Sequence, residues 1–268
     1  MKLRVWWAVF ALRMRNMLQY RTAAWAGLLT QLAWGFMLVM LYQAFYRSGI
    51  RQSIDLSQMV SYIWLQEAFM MVIMTLSRDW EIGNMVITGQ VAYELCRPQD
   101  LYFVWYARLL AQRFAGAALR CGPVLLVALL LPKPFGLSLP ASVAHFVLFA
   151  VTLVLAGVLL TAINMIIHTL VFKIMDLGSA SLAFYGIMEF LGGSILPVPF
   201  MPAWLRTLCY CLPFRYTSDL PFRLYSGNIS LQEGLVSVGI QVAWTLLFIG
   251  LGRLFLNKQL KNVVVQGG

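Results

Sequence analysis

Apolar residues in this chain come in long blocks separated by short polar stretches. The blocks cover residues 22–46, 58–77, a stretch that begins between 101 and 111 and ends at 131, then 141–172, 179–196 and 234–256. A run of about 18 or more apolar residues is the length of helix that crosses the ~30 Å hydrocarbon layer of a bilayer. Six such blocks predict an all-α membrane protein with six transmembrane helices. The fourth block is longer than a bilayer requires, which predicts tilt or protrusion. The fifth is short and holds Gly186, Gly192 and Gly193.

The first 20 residues follow another pattern. Leu3, Trp6, Trp7, Phe10, Met14, Met17 and Leu18 recur at helical spacing and fall within an arc of roughly 120° at 100° per residue. Lys2, Arg4, Arg13 and Arg15 flank the arc. Two tryptophans and a basic rim predict an amphipathic helix lying in the headgroup layer. The charges interrupt any apolar core of a cleavable signal. The chain therefore divides into an interfacial helix at 1–21 and a six-span domain at 22–268.

Two polar stretches in that domain stand out. Residues 78–100 (RDWEIGNMVITGQVAYELCRPQD) hold four of the ten acids, Asp79, Glu81, Glu94 and Asp100. Residues 197–233 hold Pro197, Pro199, Pro202, Pro213 and Pro221, which forbid one long helix. Between the prolines, 203–212 (AWLRTLCYCL) predicts a short apolar helix. A broken, aromatic-rich stretch of this kind predicts re-entrant helices dipping into the outer leaflet before the last span.

Composition agrees with the blocks. Hydrophobic residues make up 61% and charged residues 11%, where a soluble domain carries about 25% charged residues. There are 20 Lys and Arg against 10 Asp and Glu. These charges sit at the edges of apolar blocks, as membrane anchoring requires, so no nucleic-acid partner is expected. Six spans put both termini on one side. With the termini inside, the outer segments hold Arg47, Arg51, Lys133, Arg206, Arg215 and Arg223, and the inner segments hold twice as many, so cytoplasmic N and C termini are expected.

Catalytic machinery is not evident. GxxxxGK[ST], HExxH and GxSxG are all missing, and the chain has two histidines, His145 and His168. No catalytic residue, no metal site and no cofactor bound by this chain is expected. Cys96, Cys121, Cys209 and Cys211 show no ligand or disulfide spacing and read as packing residues.

Charges inside the spans are the sharper signal, because a charge in lipid is costly unless paired or wet. Glu67 falls midway along the second span and Glu189 midway along the fifth. Arg113 and Arg120 are seven apart on the third, hence on one face. Ala111, Ala115, Ala118 and Gly122 form a small-residue seam on its opposite side. Two accounts fit these charges: a structural ion pair such as Glu67 with Arg113, or the lining of a translocation cavity. Arg113 also suits snorkelling at the inner boundary.

With these elements in place, the chain resembles the ABC type 2 exporter permeases. The basic amphipathic helix is similar to the family's elbow helix. The run Gly89, Gln90, Val91, Ala92, Tyr93, Glu94, Leu95, Cys96, Arg97, Pro98 is similar to the family's segment between spans two and three, and 197–233 to its outer re-entrant pair. The likeness is greatest to a subgroup with two permeases and one ATPase. It implies that 78–100 is a coupling segment docking on an ATPase, shaped by Gly89, Leu95, Arg97 and Pro98, with Tyr93 and Glu94 facing the partner. It further implies two copies of an ABC ATP-binding subunit that hold ATP and Mg, and a second copy of the chain or a sister permease. Contact with membrane lipids, a bacterial inner-membrane location and export also follow from it, and the few polar residues in the spans point to an amphipathic or lipid-like substrate. Two rivals lie outside that family: a proton-coupled secondary transporter using Glu67 or Glu189, and a membrane assembly or anchoring component with no conduction path.

Overall fold

The computed structural model describes residues 2–19, 21–48 and 53–261. Arg51 of the expected outer loop, Met1 and Tyr20 of the interfacial segment, and the tail at 262–268 lie outside the described residues. Helix accounts for the regular structure, with no β-strand among the described residues. In chain order the α-helices are α1 (Lys2–Leu18), α2 (Arg21–Arg47), α3 (Leu56–Ala68), α4 (Met70–Ile73), α5 (Trp80–Ile87) and α6 (Val91–Leu95). They continue as α7 (Leu101–Leu130), α8 (Val143–Ile174), α9 (Leu177–Gly192), α10 (Ala203–Cys211), α11 (Asp219–Tyr225) and α12 (Leu231–Leu260).

Local chemistry sets where the long helices begin. Asp100 accepts from the backbone of Phe103, Ser142 from His145, Asp176 from Gly178 and Ser179, and Ser230 from Glu233. Each is an N-cap that satisfies donors the helix itself cannot. The Asp176 carboxylate is held below its usual range by its bonds to Ser179 and Gly178.

Among the described residues, four helices are long and apolar enough to cross a membrane: 27–47 within α2, and the whole of α7, α8 and α12. They fall where the first, third, fourth and sixth blocks place them. The other two blocks differ. The fifth is α9, with 16 residues or about 24 Å. The second, expected as one helix over 58–77, is interrupted. α3 ends after 13 residues, about 20 Å, at Phe69. One turn of α4 follows, and the backbone leaves the helix at Met74, whose ψ is 115°.

α8 is the central pillar and packs along α12, with α7, α9 and α11 also against it. Small residues permit the closest approaches. A Cβ on Gly157 would come within 3.1 Å of Phe114 and Val72, and one on Gly116 within 2.8 Å of Met71. From α3, Tyr62 donates to the Gly193 carbonyl at 2.9 Å and Trp64 to that of Phe135 at 2.7 Å. The predicted helix at 203–212 is α10, Ala203–Cys211. Beside it lie a buried Asp219 bonded to Arg223 at 3.1 Å and a buried Arg215 stacked 3.5 Å over Tyr210.

α1 packs against α7. Trp6 stacks on Phe103 at 4.5 Å, and Trp7 stays exposed. The amphipathic arc is therefore shared between protein on one edge and the surroundings on the other.

Candidate functional site

The interruption after α4 leaves carbonyl and amide groups without helical partners, and polar side chains from three other helices take them up. Arg113 on α7 donates through Nη1 to the carbonyls of Val72 at 3.0 Å and Met74 at 2.7 Å. Glu189 on α9 accepts from the Thr75 amide at 3.1 Å. On α8, Asn164 donates to Ser77 at 3.2 Å, and His168 Nε2 accepts from the Asp79 amide at 3.2 Å. His168 Nδ1 lies 2.9 Å from the Asn164 carbonyl, so the proton sits on Nδ1 and the ring is neutral. Non-helical backbone inside a membrane domain survives only where protein or water satisfies it. Here protein does so.

Of the two accounts of the charges, the ion pair offered as an example, Glu67 with Arg113, is not among the ion pairs of the described residues. Arg113 is 1% exposed and spends its charge on two backbone carbonyls, so it does not snorkel either. The seam on α7 is also revised: Ala111 and Ala115 are buried, but Ala118 and Gly122 face outward.

At the end of the extended strip the chain enters α5 through Asp79, whose Oδ1 accepts from Glu81 and Ile82. The other oxygen of Asp79 lies 3.3 Å from both Arg13 on α1 and Arg108 on α7. Glu81 joins the same two arginines at 3.2 Å and 2.6 Å. Arg108 lies 3.7 Å from Glu94 of α6, and Glu94 accepts from the Trp105 indole at 2.6 Å. Two arginines and three acids thus fasten α5 and α6 to α1 and α7. Asp79 is 1% exposed, which removes the solvent screening that weakens surface pairs. Glu81, more than half exposed, adds less.

Beyond this root the segment projects. Tyr93 is 75% exposed, and Leu95, Cys96, Arg97 and Pro98 are exposed with it. Gly89 turns the chain between α5 and α6 with φ +75°, a left-handed conformation that favours glycine, in open space. Of the residues expected to face a partner, Glu94 instead turns inward, because the Trp105 N–H and Arg108 guanidinium claim its carboxylate.

A cavity of about 560 Å³ lies between α2, the α3–α4 break, α7 and α9. Glu67, Arg120 and Glu189 line it with Gln31 and Gln66, and Trp34, Leu38, Ile73 and Ile195 supply apolar wall. The structure therefore brings three of the four intramembrane charges to one cavity and sends Arg113 elsewhere. Arg13, Asp79, Arg108 and His168 gave no strong signal in sequence, because each acts through partners far away in the chain; Gln31 is one more polar residue in an apolar block, and only the fold turns it to the cavity.

Comparison with known proteins gives one family. The model described as ABC-2 family transporter protein matches residues 54–267, well over half of the chain. The match begins just before α3 and leaves α1 and α2 outside. No curated protein matches the chain.

Proposed function

Because the chain belongs to the ABC-2 family of transporter proteins, we propose that it is the permease subunit of an ATP-driven exporter whose ATP-binding subunits are separate chains. The observation that carries this reading is the mounting of 80–98. Its outer surface presents Tyr93, Leu95, Arg97 and Pro98, while its root is held by Arg13 and Arg108. A push on the exposed end reaches α1 and α7 through short charged contacts rather than dissipating in a loose loop. The sleeve around 72–79 carries it on to α8 and α9.

In this reading, two ATP-binding subunits hold ATP and Mg, and a second copy or sister permease completes the pathway. The chain crosses the membrane six times, with α3–α4 plus the extended strip as the second crossing and α9 as the fifth. Both termini lie in the cytoplasm, and α10 and α11 form the outer re-entrant element. The location is a bacterial inner membrane. Glu67, Arg120 and Glu189 face the substrate path, and a lining that joins these and other polar groups to an apolar wall suits an amphipathic or lipid-like cargo leaving the cytoplasm or inner leaflet. Arg113 stays structural.

Purification of the tagged chain from native membranes tests the reading. Recovery of a P-loop ATPase supports it. Purification without any ATPase, with transport driven by a proton gradient alone, overturns it in favour of a secondary transporter.

A further inference from the structure

Resting on that transport reading, we propose that the cavity between α2, α3–α4, α7 and α9 binds an amphiphile with a zwitterionic head, its ammonium group at Glu67 and its anionic group at Arg120.

An acid and a base share this cavity without closing on each other. Glu67 is 7% exposed, and no ion pair within 4 Å involves it among the described residues. Arg120 makes one described polar contact, to the Met71 sulfur at 3.6 Å, and its guanidinium rests on Gly27, where a Cβ would lie 2.5 Å away. Gln31 is 3% exposed, and neither its amide nitrogen nor its oxygen has a hydrogen-bond partner. Glu189 differs, since the Thr75 amide already occupies one of its oxygens.

Charges held apart in a poorly solvated space are costly, and a ligand that pairs with each recovers the cost. A simple cation leaves Arg120 unpaired. A simple anion leaves Glu67 unpaired, and a neutral ligand leaves both. A head carrying both signs satisfies both, and Gln31 offers the same cavity a further donor and acceptor. The apolar side of the cavity, with Trp34 and Leu38, takes the adjoining chain.

The test is competition binding to the purified full chain in a neutral maltoside detergent, with tritiated lauroyl lysophosphatidylethanolamine as the probe. Lauroyl lysophosphatidic acid lacks the ammonium, dodecylamine lacks the phosphate, and glycerophosphoethanolamine lacks the chain. The wild type is expected to prefer the zwitterion over each of the three by about tenfold or more. Glu67→Gln is expected to weaken the zwitterion by about tenfold and spare lysophosphatidic acid, while Arg120→Gln weakens both and spares dodecylamine. Glu67→Asp keeps the charge and the preference, which guards against a fold defect in the glutamine variant. Equal binding of all probes, no saturable binding of the zwitterion, or zwitterion binding by Glu67→Gln and Arg120→Gln within about twofold of wild type would overturn the proposal. ATPase recovery is scored on the same preparations. Selective binding without an ATPase sinks the transport reading and leaves the site, and an ATPase without selectivity does the reverse.

Discussion

Nη2 of Arg108 on α7 lies 3.3 Å from Oδ2 of Asp79, the residue that starts α5. One carboxylate therefore begins the projecting segment, fastens it to α7, and through Arg13 fastens it to α1 as well. Replacing it by asparagine keeps a capping oxygen but removes the charge. Asp79→Asn is expected to destabilise the protein by about 3 kcal/mol, since it leaves a buried guanidinium short of a partner. Amide exchange across 80–87 is expected to accelerate more than exchange in α8. Unchanged exchange there would count against the fastening.

Arg113 gives a second prediction. Arg113→Met leaves the carbonyls of Val72 and Met74 unpaired, and hydrogen bonds from a charged donor are worth about 1.5–3 kcal/mol each. Removing a buried charge offsets part of that loss. A lowered unfolding midpoint in detergent is expected, with Arg113→Lys intermediate. A midpoint equal to wild type would mean that the break at α4 stands without the arginine.

Tyr93 and Glu94 are neighbours with opposite fates. Tyr93→Ala is expected to change stability by less than about 0.5 kcal/mol, because the side chain is exposed, yet to weaken ATPase binding. Glu94→Gln is expected to lower stability through its bonds to Trp105 and Arg108. Thermal unfolding and co-purification measured side by side on the two variants check this, and the reverse pattern would contradict the inward turn of Glu94.

At Gly89 the backbone alone is at issue. With φ +75° and nothing within 4 Å of a would-be Cβ, Gly89→Ala costs about 1–2 kcal/mol of left-handed strain and no clash. The loop is expected to relax toward another shape, weakening ATPase recovery while the unfolding midpoint of the membrane helices holds. Recovery equal to wild type would show that the turn's shape does not matter to docking.

How much of this was legible in the sequence differs by element. α2, α7, α8 and α12 were legible because each contains an uninterrupted helix with an apolar window long enough to cross a bilayer. The break after Phe69 was not: Met70 to Leu76 are as apolar as a continuous helix demands apart from Thr75. What holds the break open is Arg113, Asn164, His168 and Glu189, on three other helices. Arg13 read as part of a basic rim because its acids are 66 and 68 residues away. Glu67, Arg120 and Glu189 were singled out by charge within apolar blocks, but their shared cavity depends on how α2, α3, α7 and α9 meet.

The most direct measurement places a photo-cross-linking residue, benzoylphenylalanine, at Tyr93 and irradiates native membranes. The account predicts an adduct between this chain and a P-loop ATP-binding protein, diminished in the Gly89→Ala background. An ATPase that copurifies yet never cross-links at position 93, or an adduct with lipid alone, would contradict the claim that 80–98 is where ATP-driven motion enters the membrane domain.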